Sequence, residues 1–402
     1  MSKIKPNSYN GWDPLKQVIL GNCYTPDFFD DVKDRKLRHL LQKLLYETQE
    51  DLNGFKQMLT EAGVDVLQYP ENTSVLDVNR QYENINDLYE DQRNQNWNGW
   101  LTKRGGIPKP MIAPRDQIIT YGDKLSLTGV DFQTKKYFID NDWISEEDFD
   151  TRLLDSHIEM RKSGKEYSGP LKPSQYMFEE RNYNWKKRNT PGTIEYQEFR
   201  NMSWGYQAPS VTRVGDTLVV DQIEVSNLSS YLKSEYPQFK HCNVALGGHN
   251  DGVFCPVKPG HIITTDEKTD YSDTFPGWDV HVIQDPQNAA NVGKFNNQKI
   301  KTDGSWWTPE SDDNPEYVDF VQTWLKEWVG WVEETVFEVN MLVINPELVF
   351  CTNYNKGVFD YLESIGVEPV IMPFRHRFFW DSGLHCLTLD TQREGGMQNY
   401  FE

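Results

Sequence analysis

The sequence has few cysteines and a shortage of cationic side chains. Its five cysteines, Cys23, Cys242, Cys255, Cys351 and Cys386, lie far apart without CxxC spacing. They therefore predict neither a disulfide framework nor a zinc site, and they are typical of a reducing cytoplasm. The 41 Lys and Arg residues are outnumbered by 61 Asp and Glu, which gives a formal net charge of −20. Because binding to a polyanion requires clustered basic residues, we expect no nucleic-acid partner.

The chain also lacks an apolar targeting segment. Its N-terminus reads Met-Ser-Lys-Ile-Lys-Pro-Asn, without the apolar core of a secretory signal. No stretch approaches the roughly 18 apolar residues of a membrane span, so we expect a soluble cytoplasmic protein with no membrane partner. The length of 402 residues allows two or three domains, although repetitive closed architectures use this much chain in one unit.

A helix, a glycine and a short strand that ends at a proline recur along the chain. Apolar residues at three- or four-residue steps across 37–59 predict an amphipathic helix, and a glycine and the apolar segment 64–69 follow it. Residues 358–373 repeat this arrangement, and residues 275–283 form a weaker copy. Such repetition favours one ring or stack of modules over separate domains.

A second recurring element is a β-hairpin that opens with polar residues. Four segments have strand-like flanks around a turn, at 114–127, 211–220, 249–263 and 339–350. An arrangement of these strands around one axis would gather several polar residues from distant parts of the sequence, namely Asp116, His249, Asp251 and Cys386.

Two motifs far apart in sequence carry reactive side chains. Residues 247–251 read Gly-Gly-His-Asn-Asp, and residues 384–388 read Leu-His-Cys-Leu-Thr. A thiol becomes a nucleophile when it loses its proton, and a histidine can accept that proton and return it to a leaving group. We therefore predict that Cys386, His249 and Asp251 form a catalytic group. His385 should point away from it if its segment is extended.

Residues 136–206 interrupt the repeating pattern. This stretch is rich in charged residues, Tyr, Trp and Asn, with turn signals at Ser168-Gly-Pro and Asn189-Thr-Pro-Gly. Two interpretations stay open. The stretch is either an insertion or lid near the site, or a solvated connection without a catalytic role.

The order and combination of the motifs resemble the amidinotransferases, a family of guanidine-modifying enzymes, and especially arginine:glycine amidinotransferase. The resemblance implies a single domain over residues 1–402, with a fivefold pseudosymmetric α/β propeller of the pentein type. It is carried by Asn10 to Gly21, Pro114-Arg-Asp116, His249-Asn-Asp251 with Pro259-Gly260, His385-Cys386, Asp390 and Arg393-Glu-Gly395.

The resemblance implies transfer of the amidino group of L-arginine to an amine, with glycine as the default acceptor and with guanidinoacetate and ornithine as products. Cys386 would be the nucleophile, and His249 would protonate the departing ornithine and later deprotonate the amine. Asp116 and Asp251 would hold the guanidinium through forked hydrogen bonds. Lys268 would bind the amino-acid carboxylate. No metal or organic cofactor is implied.

Two places depart from the family pattern. Pro209 or Ser210 stands where the family has an additional carboxylate, so a bound guanidinium would lose one partner unless Glu198 or a backbone carbonyl takes over. Glu333 and Glu334 stand where members that use glycine have small hydroxyl residues. Carboxylates there would repel the carboxylate of glycine or bind a more cationic amine.

Two other functions stay open. An arginine deiminase-like hydrolase would use water in place of the amine and release citrulline and ammonia. An arginine-binding pseudoenzyme would keep the fold without turnover. The oligomeric state is also open, with a homodimer as one alternative.

Overall fold

The structure is a computed structural model that describes residues 3–71, 107, 109–129, 132–156, 206–221, 228–246, 249–265, 268–283, 306–311, 313–325, 328–329 and 336–401. In these residues the elements follow one another as β1 (Leu15–Leu20), α1 (Arg35–Glu61), β2 (Asp65–Gln68), β3 (Ile118–Tyr121), β4 (Lys124–Leu127), α2 (Phe132–Asp140), β5 (Phe149–Asp150), β6 (Val211–Val214), β7 (Thr217–Asp221), α3 (Leu228–Glu235), β8 (Lys240–Val244), α4 (Asn250–Val253), β9 (Phe254–Lys258), β10 (His261–Thr264), β11 (Asp279–Val282), α5 (Pro315–Trp324), β12 (Leu342–Asn345), β13 (Leu348–Cys351), α6 (Lys356–Ser364), β14 (Glu368–Ile371), α7 (Arg377–Trp380) and β15 (Thr388–Arg393). Three 3-10 turns span Pro26–Phe29, Pro114–Asp116 and Ala208–Ser210.

The five sheets seen in the described residues share one plan. Two antiparallel strands pair, and a third strand runs parallel to the second. Their strand orders are β15-β1-β2, β3-β4-β5, β6-β7-β8, β9-β10-β11 and β12-β13-β14. Because parallel neighbours need a long crossover, a helix fits between the second and third strands, as α1, α2, α3 and α6 do. The predicted mixed α/β fold of repeated hairpin and helix modules is confirmed.

One of these sheets combines the first and last strands of the described chain. β1 pairs antiparallel with β15, so that Leu20 lies opposite Thr388, and it pairs parallel with β2, so that Leu20 lies opposite Gln68. Cys386 lies two residues before the start of β15. The pairing therefore fixes the segment of the predicted nucleophile against the N-terminal part of the chain.

The helices of two modules begin and end where the sequence predicts. Asp34 caps α1 and Asn355 caps α6, each by accepting hydrogen bonds from backbone N–H groups of the first turn. Gly63 and Gly366 follow these helices with φ angles of 82° and 75°. Glycine adopts this left-handed conformation without steric cost, so the chain turns there into β2 and β14.

The largest apolar cluster packs around α1 and reaches the segment of Cys386. In it the rings of Trp328 and Trp380 stack with centroids 5.6 Å apart, and both side chains are fully buried. The sequence has an aromatic stripe at helical spacing, which predicts core residues at Phe320, Trp324, Trp328 and Trp331. Phe320 and Trp328 lie in this cluster, Trp324 packs against it, and Trp331 falls outside the described residues. Among the helices that the structure describes, none has the length and apolar character needed to cross a membrane.

A buried ionic cluster, which we call the Asp390 hub, joins several modules. The carboxylate of Asp390 in β15 accepts hydrogen bonds of 2.7–2.8 Å from Arg115, Arg213 and Arg393. All four residues are buried. Burial alone would raise the pKa of Asp390, but the three guanidinium groups hold it well below its usual range.

Each arginine of the Asp390 hub also donates to two backbone carbonyls, which lie on different modules and on the N-terminal segment. The hub therefore ties strands together through backbone as well as side chains. The carbonyls are those of His385 and Thr388 for Arg115, Ser8 and Thr120 for Arg213, and Asp13 and Val343 for Arg393.

The beginning of the predicted insertion belongs instead to the repeating fold. Helix α2 spans Phe132–Asp140, and β5 pairs parallel with β4 as the third strand of its sheet. A strand of two residues is too short to show an alternating pattern, which is why the sequence did not reveal it. Residues 157–205 lie outside the described residues, and an insertion or lid there stays a prediction.

We expect Asp390→Asn to lower the free energy of unfolding by about 3–5 kcal/mol, because it leaves three buried guanidinium groups without their anion. Urea unfolding followed by tryptophan fluorescence measures this change. Asp140→Asn is the matched control, since Asp140 pairs with Lys136 on the exposed face of α2. The control substitution should lower the free energy of unfolding by less than about 1 kcal/mol. Equal unfolding midpoints for the two variants would contradict the importance of the hub.

Candidate active site

Cys386 lies in a tight turn that leads into β15. Hydrogen bonds from Leu387 N to Gly383 O and from Thr388 N to His385 O close this turn. Side chains of successive residues alternate in a strand but not in such a turn, so His385 and Cys386 face the same group. The expectation that His385 points away from the site is therefore wrong.

The group that they share is the carboxylate of Asp251, in the first turn of α4. Its Oδ2 atom accepts a hydrogen bond of 2.6 Å from His385 Nδ1 and one of 3.5 Å from Cys386 Sγ. Its Oδ1 atom is buried and makes no hydrogen bond to the described residues. The structure thus joins the thiol and the carboxylate of the prediction, and the imidazole of His385 is bonded to that carboxylate.

The protonation states follow from the surroundings of this pair. Burial would raise the pKa of Asp251, but the hydrogen bond and charge of His385, together with His249 and Arg115, lower it below its usual range. Burial lowers the pKa of His385, and Arg115 lowers it further, against the opposite effect of Asp251. At neutral pH the pair is therefore an ionised carboxylate and a neutral imidazole that donates from Nδ1.

Asn340, just before β12, holds the turn of Cys386 from a neighbouring module. Its Oδ1 atom accepts from the backbone N–H groups of His385 and Cys386, each at 3.1 Å. Its Nδ2 atom lies 3.0 Å from Cys386 Sγ and 3.3 Å from the carbonyl oxygen of Asp251. A Cβ atom at Gly383 would lie 2.5 Å from Asn340 Oδ1, so this close approach requires glycine. Asn340 was not among the residues predicted from the sequence, where its signal is an amide between two apolar residues just before a strand.

His249 is the N-cap residue of α4, and its Nε2 atom contacts Oε1 of Gln207. Gln207 directly precedes the 3-10 turn Ala208–Ser210. Ser210 is buried, and its carbonyl accepts a hydrogen bond of 3.3 Å from Asn250. The side chain that contacts His249 here is thus a neutral amide, and neither Pro209 nor Ser210 supplies a carboxylate. Glu198, the expected replacement, lies outside the described residues.

Asp116 ends the 3-10 turn that also carries Arg115, and it is partly buried. Burial raises the pKa of Asp116; Lys109 and His249 oppose this effect, and Asp251 adds to it. Asp116 therefore interacts electrostatically with His249 and Asp251, while the gathering of these residues on one rim stays a prediction. Their individual roles stay predictions.

The other predicted binding residues are not joined to this group in the described part of the chain. Lys268 places its Nζ atom 5.2 Å from the ring centroid of Tyr271. No hydrogen bond or ion pair among residues that the structure describes links Lys268 to Cys386 or Asp251. Glu333 and Glu334 lie outside the described residues. All three assignments stay predictions.

A cavity of about 50 Å³ separates the group around Asp251 from the Asp390 hub. It is lined by Asp251 and His385 on one side and by Arg115 and Arg213 of the hub. Its volume is enough for a few water molecules. The candidate site and the ionic hub are therefore close neighbours.

Comparison with known proteins shows similarity to amidinotransferases. No family model matches the chain. Inosamine-phosphate amidinotransferase 1 from Streptomyces glaucescens is 21% identical to it over 422 residues, which cover 98% of each protein. L-arginine:L-lysine amidinotransferase from Pseudomonas savastanoi pv. phaseolicola is 20% identical over 203 residues, or 48% of this chain and 46% of that protein. The chain is therefore similar to amidinotransferases over its whole length, as the motifs in its sequence predict.

A solved amidinotransferase structure has a similar fold. The inosamine-phosphate amidinotransferase of Streptomyces griseus superimposes with a TM-score of 0.58 at 16% identity, over 100% of both chains. At this identity the match shows only that the two folds are similar. It agrees with the pentein-like arrangement of repeated units expected for an amidinotransferase.

We expect three cysteines of this amidinotransferase relative to resist alkylation. Burial raises the pKa of Cys255 to about 12 and also raises the pKa of Cys23 and Cys351. The thiolate is the reactive form, so iodoacetamide at neutral pH should leave them unmodified in the native protein. Peptide mapping by mass spectrometry measures the labelling, with urea-unfolded protein as the control. Labelling of Cys255 at the rate of the unfolded chain would contradict the prediction.

Proposed function

We propose that this chain is an amidinotransferase that moves the amidino group of L-arginine to an amine through an amidino-cysteine intermediate. The carboxylate of Asp251, shared between Cys386 and His385, carries the proposal. Its Oδ1 atom is buried and accepts nothing from the described residues, so it can accept from a guanidinium N–H group. A guanidinium bound there lies beside Cys386 Sγ, the geometry that attack on its carbon requires.

The first half of the proposed reaction forms a carbon–sulfur bond. The guanidinium carbon is a poor electrophile because its positive charge is delocalised, so a strong nucleophile and fixed geometry are both needed. The Cys386 thiolate attacks this carbon and gives a tetrahedral adduct. The bond to the ornithine nitrogen then breaks, and His249 supplies the proton that ornithine carries away. The amidino group remains on sulfur.

The second half returns the enzyme to its starting state. His249, now without that proton, removes one from the incoming amine, whose nitrogen attacks the amidino carbon. The carbon–sulfur bond breaks, and the electron pair returns to sulfur as the thiolate. Asp116 and Asp251 would orient the planar group through both halves, since carboxylates match the forked donors of a guanidinium. Lys268 would hold a substrate carboxylate.

The acceptor is the less defined substrate. The two relatives are named for inosamine phosphate and for lysine as acceptors, whereas glycine is the default implied by the sequence resemblance. Glu333 and Glu334 would favour an acceptor with an additional positive charge over glycine, because a carboxylate repels another carboxylate. The three amines are therefore tested together.

We also propose that the five sheets close into a propeller around the Asp390 hub. Two contacts support closure. β15 and β1 pair within one sheet, and Arg393 donates to the carbonyl of Val343 in β12. A ring of this kind would present the turns around Asp116, Asp251 and Cys386 on one rim. The expected setting is a reducing cytoplasm, with a homodimer as one assembly.

We expect arginine and a suitable amine to give ornithine and an amidinated product. The assay incubates purified protein with arginine alone, and then with glycine, lysine or an inosamine phosphate, and identifies products by mass spectrometry. An omitted acceptor is the control, because transfer requires an amine. Citrulline and ammonia from arginine alone would make the chain a hydrolase. Arginine binding without any product would support the pseudoenzyme.

We expect Cys386→Ser to abolish turnover with little change in the unfolding midpoint, since the hydroxyl fills the space but is a far weaker nucleophile. His249→Ala should lower the rate of ornithine release at least about a hundredfold, the usual scale for a positioned acid or base. Initial rates of ornithine release measure both effects. Cys351→Ser, in the buried strand β13, controls for loss of a thiol elsewhere. Full activity of Cys386→Ser would exclude the covalent mechanism.

A further inference from the structure

The orientation of the Asn340 carboxamide is determined by its partners. Two backbone N–H groups, of His385 and Cys386, point at its Oδ1 atom, and an N–H group can only donate. The oxygen must therefore face them. The amide nitrogen is left to face Cys386 Sγ at 3.0 Å and the carbonyl oxygen of Asp251 at 3.3 Å. If the amide were inverted, its N–H donors would face the two backbone N–H groups, and its oxygen would face the carbonyl oxygen of Asp251.

This orientation matters because the sulfur has an unfavourable neighbour. Asp251 Oδ2 lies 3.5 Å from Cys386 Sγ, and an ionised carboxylate at that distance opposes formation of a thiolate. An N–H donor aimed at the sulfur has the opposite effect, since it stabilises the anion more than the neutral thiol. Asn340 is fully buried, so no bulk water weakens the interaction.

We propose that Asn340 is a positioning residue that also stabilises the Cys386 thiolate, by donating from Nδ2 to the sulfur while its oxygen holds the turn. This role depends on the proposed function in one respect, because it takes Cys386 as the nucleophile. It goes beyond a packing role, since a purely structural asparagine would need only the bonds made by its oxygen.

Substitutions of Asn340 separate these two roles. Asn340→Asp keeps the shape and an oxygen that accepts from the two backbone N–H groups. It replaces the donor at sulfur by a negatively charged acceptor. The added charge would by itself make the thiol less acidic. The neutral variants Asn340→Ser and Asn340→Ala, with and without a donor, therefore distinguish loss of the donor from gain of a charge: a structural role predicts equal thiol acidity in the two, whereas a donor to sulfur predicts a less acidic thiol in Asn340→Ala. Asn345→Asp is the matched control, because it makes the same change at the end of β12, where Oδ1 accepts from the backbone N–H of Glu347.

The experiment measures the rate of iodoacetamide labelling of Cys386 between pH 5 and pH 10, by mass spectrometry of the Cys386 peptide. Asn340→Asp should move the midpoint of the labelling curve upward by at least about one pH unit and slow labelling at pH 7 by about tenfold. Asn345→Asp should leave the curve in place. The unfolding midpoints of both variants confirm that the proteins compared are folded.

An unchanged curve in folded Asn340→Asp overturns the proposal. Asn340→Ser provides a second variant, in which a hydroxyl can donate in place of the amide. The midpoint of its labelling curve should lie closer to that of the wild type than the midpoint of Asn340→Asp does. A Cys386 that resists labelling at every pH also overturns it, because a thiolate able to attack arginine must be reachable by a smaller reagent. Labelling needs neither arginine nor an amine. A shifted curve without turnover would therefore uphold the role of Asn340 and reject the transferase.

Discussion

The arrangement of the modules depends on one buried anion. Asp390 has no access to solvent and faces three guanidinium groups, so the Asp390 hub carries an excess of positive charge away from water. Moving such charges out of water costs several kcal/mol for each ion unless hydrogen bonds compensate. The compensation comes from backbone carbonyls on separate modules, which Arg115, Arg213 and Arg393 reach with their remaining donors. A module that moved alone would leave a buried charge unpaired, and the geometry is therefore held rigidly.

The same cluster sets the positions of the candidate catalytic residues. Arg115 donates to the carbonyls of His385 and Thr388, on either side of Cys386, and the residue next to it in sequence is Asp116. One guanidinium thus places the turn of the predicted nucleophile and a predicted substrate carboxylate at once. The small cavity between site and hub has both groups in its walls, so the distance between them is short. Rigid support of this kind suits covalent chemistry, in which misplacement by a fraction of an ångström slows the reaction.

The parts that could be predicted from sequence are those encoded by neighbours in the chain. Periodic apolar residues, Asn or Asp caps and glycine stops define α1 and α6 and the strands after them, because such signals act over a few residues. The links of Asp251 to His385 and of Asn340 to Cys386 join segments 134 and 46 residues apart, and no local pattern reports them. His385 was misassigned for a definite reason, since an alternation rule that holds for strands was applied to a turn.

The neutral partner of His249 changes the charge balance of the site. The family resemblance leads one to expect an additional carboxylate near Ser210, but His249 contacts the amide of Gln207. A further anion close to Cys386 would oppose the thiolate, which already has the Asp251 carboxylate beside it. A carboxylate would, however, stabilise a protonated His249 better than an amide does. With Gln207 in place, that stabilisation falls to Asp116 and Asp251, the carboxylates that interact electrostatically with His249. In the proposed mechanism, substrate binding and proton transfer would depend on the same two side chains, and a change at either should affect both steps.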